Sequence, residues 1–214
     1  MLLAAAQFLV LVAAAMACYG GGTVFDPSAE GYSFWNNSLS DLGRTVSPSG
    51  RPSETSAVLY HTALFGLICS FVPMFLALPA LMPNCPRTGR LARSAGLVSL
   101  AGMIGVVVTP TDVYPVAHMV TIGLAAIPAL AAATLCLTGM WRDRACPRFL
   151  ALATTIMLAS AVVHFAQYVH HFWLGGDWTP ACTAAQKVLA ICVLGWVALV
   201  GAVLLGRPLP RTAD

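Results

Sequence analysis

The sequence predicts an all-α integral membrane protein: one domain over residues 1–214, a bundle of six transmembrane helices with both termini cytoplasmic and a long outer loop between helices one and two. Three observations predict it. Hydrophobic residues make up 58% of the chain and charged residues 9%, against roughly 45–50% and 25% in ordinary globular chains. So few charges cannot solvate a soluble surface of this size. The apolar residues also gather in runs of about 17–25, the length that crosses roughly 30 Å of hydrocarbon as helix. Finally, the arginines fall on alternate joints between these runs. The formal charge of +3 forms no soluble basic patch, so nucleic acid is excluded as a partner.

The first span covers about Leu2–Ala17 and is followed by a polar outer loop from Tyr19 to Thr55. The second covers about Ser56–Met82 and ends at Pro83-Asn84-Cys85-Pro86. The third covers about Ser94–Thr109, the fourth Val116–Met140, the fifth Phe149–Tyr168 and the sixth Ala184–Gly206. Arg87, Arg90 and Arg93 lie in the joint between spans two and three, and Arg142, Arg144 and Arg148 in that between four and five. Arg207 and Arg211 lie in the tail, so eight of the eleven basic residues share one side. Basic residues mark the cytoplasmic side. Both termini are then cytoplasmic and the long loop faces outward.

Ala15-Met16-Ala17-Cys18 also resembles a small-residue cleavage site. A cleaved signal sequence needs a positively charged start, and no Lys or Arg precedes Arg44. A retained helix is the expectation. Of the seven cysteines, Cys69, Cys136 and Cys192 read as small apolar packing residues inside spans. Cys85 and Cys146 lie on the reducing side. Cys18 and Cys182 lie near the outer face, where a bridge between them is left open.

The rare polar residues cluster toward the outer side. At about 1.5 Å per residue, His61 sits roughly 8 Å below the outer boundary, His118 roughly 3 Å and His164 roughly 8 Å. Asp112 lies in the short connection above them, and Gln186 and Lys187 enter from the top of span six. On span five His164, Gln167 and His171 share one face, while His170 points elsewhere. Ionisable groups at membrane depth face a bundle interior or a wet cavity. The outer loop is too long and too specific in composition for a plain connector and reads as a lid. In it Tyr32, Phe34 and Trp35 suit the membrane interface, and Ser40-Asp41 followed by Gly43 suits a turn that aims a carboxylate at the bundle.

The pattern Asn-x-x-x-Ser40-Asp41-Leu42-Gly43 after one helix, then a proline-bearing stretch before span two, resembles the domain of unknown function 998 family. Asp112 and His118 at the third-to-fourth joint fit the same pattern. The resemblance implies a six-span protein of the bacterial or archaeal plasma membrane and no established activity. A weaker similarity, through Ser40-Asp41-x-Gly43 and Pro52-Ser53-Glu54, is to the Frag/DRAM/Sfk membrane family. More distantly, His61, His118, His164, Asp112 and Ser40 are similar to the inventory of alkaline ceramidase-type membrane hydrolases, which implies a membrane-embedded zinc. This chain departs from that superfamily in its last helices: Tyr168 stands four residues after His164, and span six has no histidine.

Three functional readings follow. In the first, His61, His118 and His164 hold zinc and activate a water. Asp41 or Asp112 then serves as general base or orients a ligating imidazole, Lys187 stabilises a phosphate or an oxyanion, and Ser40 completes the catalytic set of a metal-dependent hydrolase or transferase acting on a membrane lipid. In the second, the protein is a non-enzymatic lipid-binding, sensing or accessory factor whose polar cluster fixes helix packing. In the third, it is a haem-b protein or a proton-coupled transporter.

Overall fold

The computed structural model describes residues 1–206. Arg207, Arg211 and Asp214, part of the charge argument, lie outside the described residues. Six α-helices stand among those described: α1 (Leu2–Ala17), α2 (Glu54–Leu81), α3 (Pro86–Val108), α4 (Pro115–Arg142), α5 (Arg148–Phe172) and α6 (Pro180–Leu205). A short 3₁₀ turn, η1 (Leu39–Gly43), lies inside the long loop. Each helix packs on the next and α6 returns against α1 and α2, which closes an antiparallel ring.

Helices α2 to α6 are each long and apolar enough to cross a membrane. α1 has 16 residues, or about 24 Å of rise, and among the described residues is the one apolar helix below that length. Large apolar side chains such as Leu3, Val10, Phe65, Leu91, Leu124 and Ile156 face outward. Such a surface is costly in water and ordinary in lipid, so the molecule is consistent with a multi-pass membrane protein.

Three helices begin on proline: Pro86, Pro115 and Pro180. The first helical position has no intrahelical partner for its N–H, so proline costs nothing there and presets φ. This corrects the sequence expectation for α3, which starts eight residues before Ser94. Arginine interrupts hydropathy but is a good helix former, so Arg87, Arg90 and Arg93 sit on its opening turns. α5 and α6 likewise run one turn further toward their shared joint than expected.

Two sets of cross-links tie the joints together. At the arginine-bearing end, Asp143 is fully buried and accepts hydrogen bonds from the Asn84 amide (2.8 Å), the Asn84 side chain (2.8 Å) and the Ala145 amide (2.9 Å). The two arginine-rich joints therefore share one end. The long loop, the α3–α4 joint and the start of α6 meet at the other. α3 and α4 pack backbone to backbone where Gly102 meets Leu124 and Ala125, and any Cβ at Gly102 would overlap that backbone. Small residues allow this approach between membrane helices.

All seven cysteines are free, so no bridge joins Cys18 and Cys182. Cys69 is exposed on the outer surface of α2 and is no interior packing residue.

Candidate functional site

The long loop folds back over the bundle as a lid, and its own polar residues shape it. Asn37 is fully buried and donates to the Gly22 carbonyl at 2.8 Å, while its Oδ1 accepts the Ser33 amide at 2.8 Å. Asp41 Oδ2 accepts the Ser38 amide at 2.7 Å and closes the η1 turn. Burial pushes the Asp41 carboxyl up, against the opposing pull of those hydrogen bonds and of Arg44 and Lys187. Leu42 is wholly buried, and Ser56 on α2 donates to its carbonyl at 3.0 Å. Gly43 lies flat on α2, where a Cβ would come within 2.7 Å of His61 Nε2 and 3.0 Å of Tyr60 Cδ1. The Ser40-Asp41-Leu42-Gly43 pattern thus folds and seats the lid.

Two walls hold the lid down. On α6, Thr183, Gln186 and Lys187 share one face. Thr183 donates to the Trp35 carbonyl (2.5 Å), Gln186 Oε1 accepts the Leu39 amide (2.6 Å), and Lys187 Nζ donates to the Asn37 carbonyl. On the opposite side, Asp112 Oδ2 accepts the Thr45 amide (2.9 Å), the Thr45 hydroxyl (2.6 Å) and the Val46 amide (2.9 Å). Partial burial pushes the Asp112 carboxyl up, but the bonds from the Thr45 hydroxyl and the Val46, Asp112 and Thr45 amides outweigh it. Asp112 is held below the usual carboxylate range.

Beneath the lid lies a cavity of about 450 Å³. Four of the seven residues expected from the sequence line it: Ser40, Asp41, His118 and His164. His61, Asp112 and Lys187 do not. His61 is half-buried against Gly43, Asp112 gives its Oδ2 to the lid, and Lys187 lies behind the wall under the Tyr32 and Phe34 rings. Lys187 is therefore no exposed anchor at a helix end, and it does not face a substrate in the cavity. In each case the preceding residue faces the cavity instead: Tyr60, Thr111 and Gln186. Arg44 completes the polar lining, and His171, Phe172 and Trp178 form an aromatic wall. Of the face expected on α5, His164 and His171 reach the cavity while Tyr168 takes the place of Gln167.

Apolar chambers adjoin the polar cavity and stack below it as a shaft. A chamber of about 320 Å³ shares Tyr60, Val106, Ile122, His164 and Gln186 with it. That chamber shares Met103, Ala129 and Val193 with a deeper one of about 150 Å³ bounded by Met74, Ser99 and Trp196. From Gln186 to Val197 on α6 the shaft descends about 16 Å at 1.5 Å per residue. The polar groups at its foot are already satisfied: Ser99 donates to Gly96 O at 2.7 Å, and Trp196 Nε1 to Thr154 Oγ1 at 2.8 Å. The shaft itself is apolar.

The groups at the top are not satisfied. Among the described residues, His118 Nε2, His164 Nδ1 and Thr111 Oγ1 in the cavity lining are buried without a hydrogen-bond partner, as are Asp112 Oδ1 and Gln167 Oε1, whose residues do not line it. His118 Nδ1 lies 2.6 Å from the Thr109 carbonyl. A carbonyl only accepts, so neutral His118 carries its proton on Nδ1 and presents a lone pair at Nε2.

The three histidines expected to share a zinc ion do not come together as a metal centre. Among the described residues no three His, Cys, Asp or Glu side chains are placed to hold one. The physical reason is local packing: His118 and His164 line the cavity, whereas the His61 ring is packed beneath Gly43 and does not line it. The donor set does not fit zinc.

No family model matches this chain. No curated protein and no solved structure shows significant similarity to it either. Sequence reading missed Tyr60, Arg44, Gln186 as a lining residue, and Asn37. The signal that could have found Asn37 is its place in an otherwise polar, turn-rich loop four residues before a carboxylate.

Proposed function

We propose that this bundle binds an amphipathic membrane lipid, with the polar head under the lid and the chain in the apolar shaft. The observation that carries the reading is the adjacency of the two spaces: a polar cavity with unpartnered buried groups shares Tyr60, Ile122, His164 and Gln186 with the apolar chambers below it, which are lined by Met103, Ala129 and Val193. Ligand sites of this kind are mostly apolar with a few convergent polar groups. The protein belongs to a bacterial or archaeal plasma membrane and crosses it six times, with the arginine-bearing end in the cytoplasm. The distribution of basic residues supports that orientation. The similarity of Ser40-Asp41-Leu42-Gly43 to the domain of unknown function 998 family is part of the same reading and adds no activity.

Ala129 borders both the upper and the lower chamber. Ala129→Phe fills the shaft without touching the polar cavity. Native mass spectrometry of the full chain, purified in detergent and loaded with dioleoyl lipids, is expected to show bound lipid in the parent and about tenfold less in this variant. Equal lipid binding in both, with unchanged thermal stability, overturns the shaft.

A second reading has its own support. Ser40, whose hydroxyl has no protein hydrogen bond among the described residues, lines the same cavity as His118 Nε2 and its lone pair. That is the inventory of a hydrolase or transferase acting on the bound lipid. Turnover of an ester lipid lost in Ser40→Ala, with binding kept, is the expected sign. Absence of turnover leaves a binding protein.

A further inference from the structure

The chemistry of the cavity wall also selects the head, an inference that rests on the lipid reading above. His118 is more than nine-tenths buried, and its one free ring nitrogen is an acceptor. A buried acceptor left without a donor is costly, so this position calls for a ligand that donates. Asp41, also more than nine-tenths buried, uses Oδ2 on the lid and leaves Oδ1 without a protein donor among the described residues. Two acceptors thus await hydrogen-bond donors from a ligand.

The same wall also donates. Gln186 spends Oε1 on Leu39, which leaves its amide N–H groups free, and Thr111 has a buried hydroxyl without a partner. The lining carries one cation, Arg44, and one anion, Asp41. Lys187 adds no accessible charge, because its ammonium is buried behind the wall on the Asn37 carbonyl. A phosphate head would meet the Asp41 carboxylate and the His118 lone pair, with Arg44 the one lysine or arginine in the lining and Lys187 acting on Asp41 only from behind the wall. An uncharged head with several hydroxyls matches both donors and acceptors. The flank of His171, Phe172 and Trp178, with ring centroids 4.4–5.8 Å apart, offers an aromatic surface for the C–H face of a ring.

We propose that the cavity takes an uncharged, polyhydroxylated head, a sugar carried on a lipid, with a head hydroxyl donating to His118 Nε2. The experiment uses the full chain in detergent and a panel sharing two oleoyl chains: monoglucosyl-dioleoylglycerol, dioleoyl phosphatidylethanolamine and dioleoyl phosphatidic acid. Native mass spectrometry in competition is expected to retain the glucosyl lipid about tenfold over the other two. His118→Phe is expected to abolish that preference while total lipid binding persists, and His118→Gln, which restores an acceptor, to recover part of it. Thermal unfolding confirms that each variant is folded. Equal retention of all three heads, or a preference for either phospholipid, overturns the head assignment and leaves lipid binding standing. A His118→Phe variant with the parent's preference also overturns it. Failure to retain any of the three lipids sinks the lipid reading itself.

Discussion

One carboxylate oxygen, Oδ2 of Asp112, takes three hydrogen bonds from Thr45 and its neighbour Val46, joining positions 67 and 66 residues apart in the chain. Asp112 therefore works as the hasp of the lid. Asp112→Ala leaves the Thr45 and Val46 donors to solvent and is expected to cost about 1–2 kcal/mol, at the modest end because the site is partly exposed. Hydrogen exchange at Thr45 and Val46 should quicken while the helices stay protected. Unchanged exchange there would refute the hasp.

The same carboxyl sets a pH dependence. Its folded pKa lies below the ordinary value, which is about 3.9 for a free aspartate. The attachment is therefore complete above that pH and is lost as pH falls through the folded value. Protection of Thr45 should stay flat from neutral pH down to about 4 and drop only below it. A drop centred near pH 6 would point to a histidine instead.

Gly43 and His61 form a second tight pair. Gly43→Ala brings a Cβ to 2.7 Å from His61 Nε2 and should cost about 1–3 kcal/mol by overpacking. His61→Ala, made in the same background, should return much of that loss. A double-mutant cycle on thermal unfolding reads the coupling directly. Additive losses would mean that the two residues do not constrain one another.

Lys187 holds the lid from the other side. Lys187→Met keeps the apolar stem and removes the ammonium from the buried Asn37 carbonyl. The expected loss is on the order of 1–3 kcal/mol, with faster exchange across Asn37 and Ser38. A variant as stable as the parent would show that the aromatic cover of Tyr32 and Phe34 is sufficient by itself.

The proposed orientation is open to chemical labelling. Cys18 is exposed near the loop end, and Arg144 is exposed at the opposite one. A chain retaining only Cys18 should react in intact cells with a membrane-impermeant maleimide. An otherwise cysteine-free chain bearing Arg144→Cys should react only after the membrane is opened. The reverse pattern would invert the topology.

Much of this architecture is legible in the sequence alone. Hydropathy located every helix, and α1 has the expected bounds of Leu2–Ala17. The sparse polar residues marked the end of the bundle at which a cavity forms. The length of the loop and its Ser40-Asp41-Leu42-Gly43 run marked the lid. These are properties summed along a helix axis, and such sums survive errors of a residue or two.

What the sequence could not supply is rotation about that axis. Tyr60, Thr111 and Gln186 line the cavity where His61, Asp112 and Lys187 were expected, each displaced by a single residue. For Tyr60 and His61 on α2, and for Gln186 and Lys187 on α6, one residue is about 100° of helical turn, enough to swap an inward position for one in the wall, whereas Thr111 and Asp112 are set apart by the turn of the α3–α4 joint. In a soluble helix the polar stripe reports that angle. Here both the lipid side and the core side are apolar, so the sequence determined depth, and only the packing of the six helices decided which side chains meet.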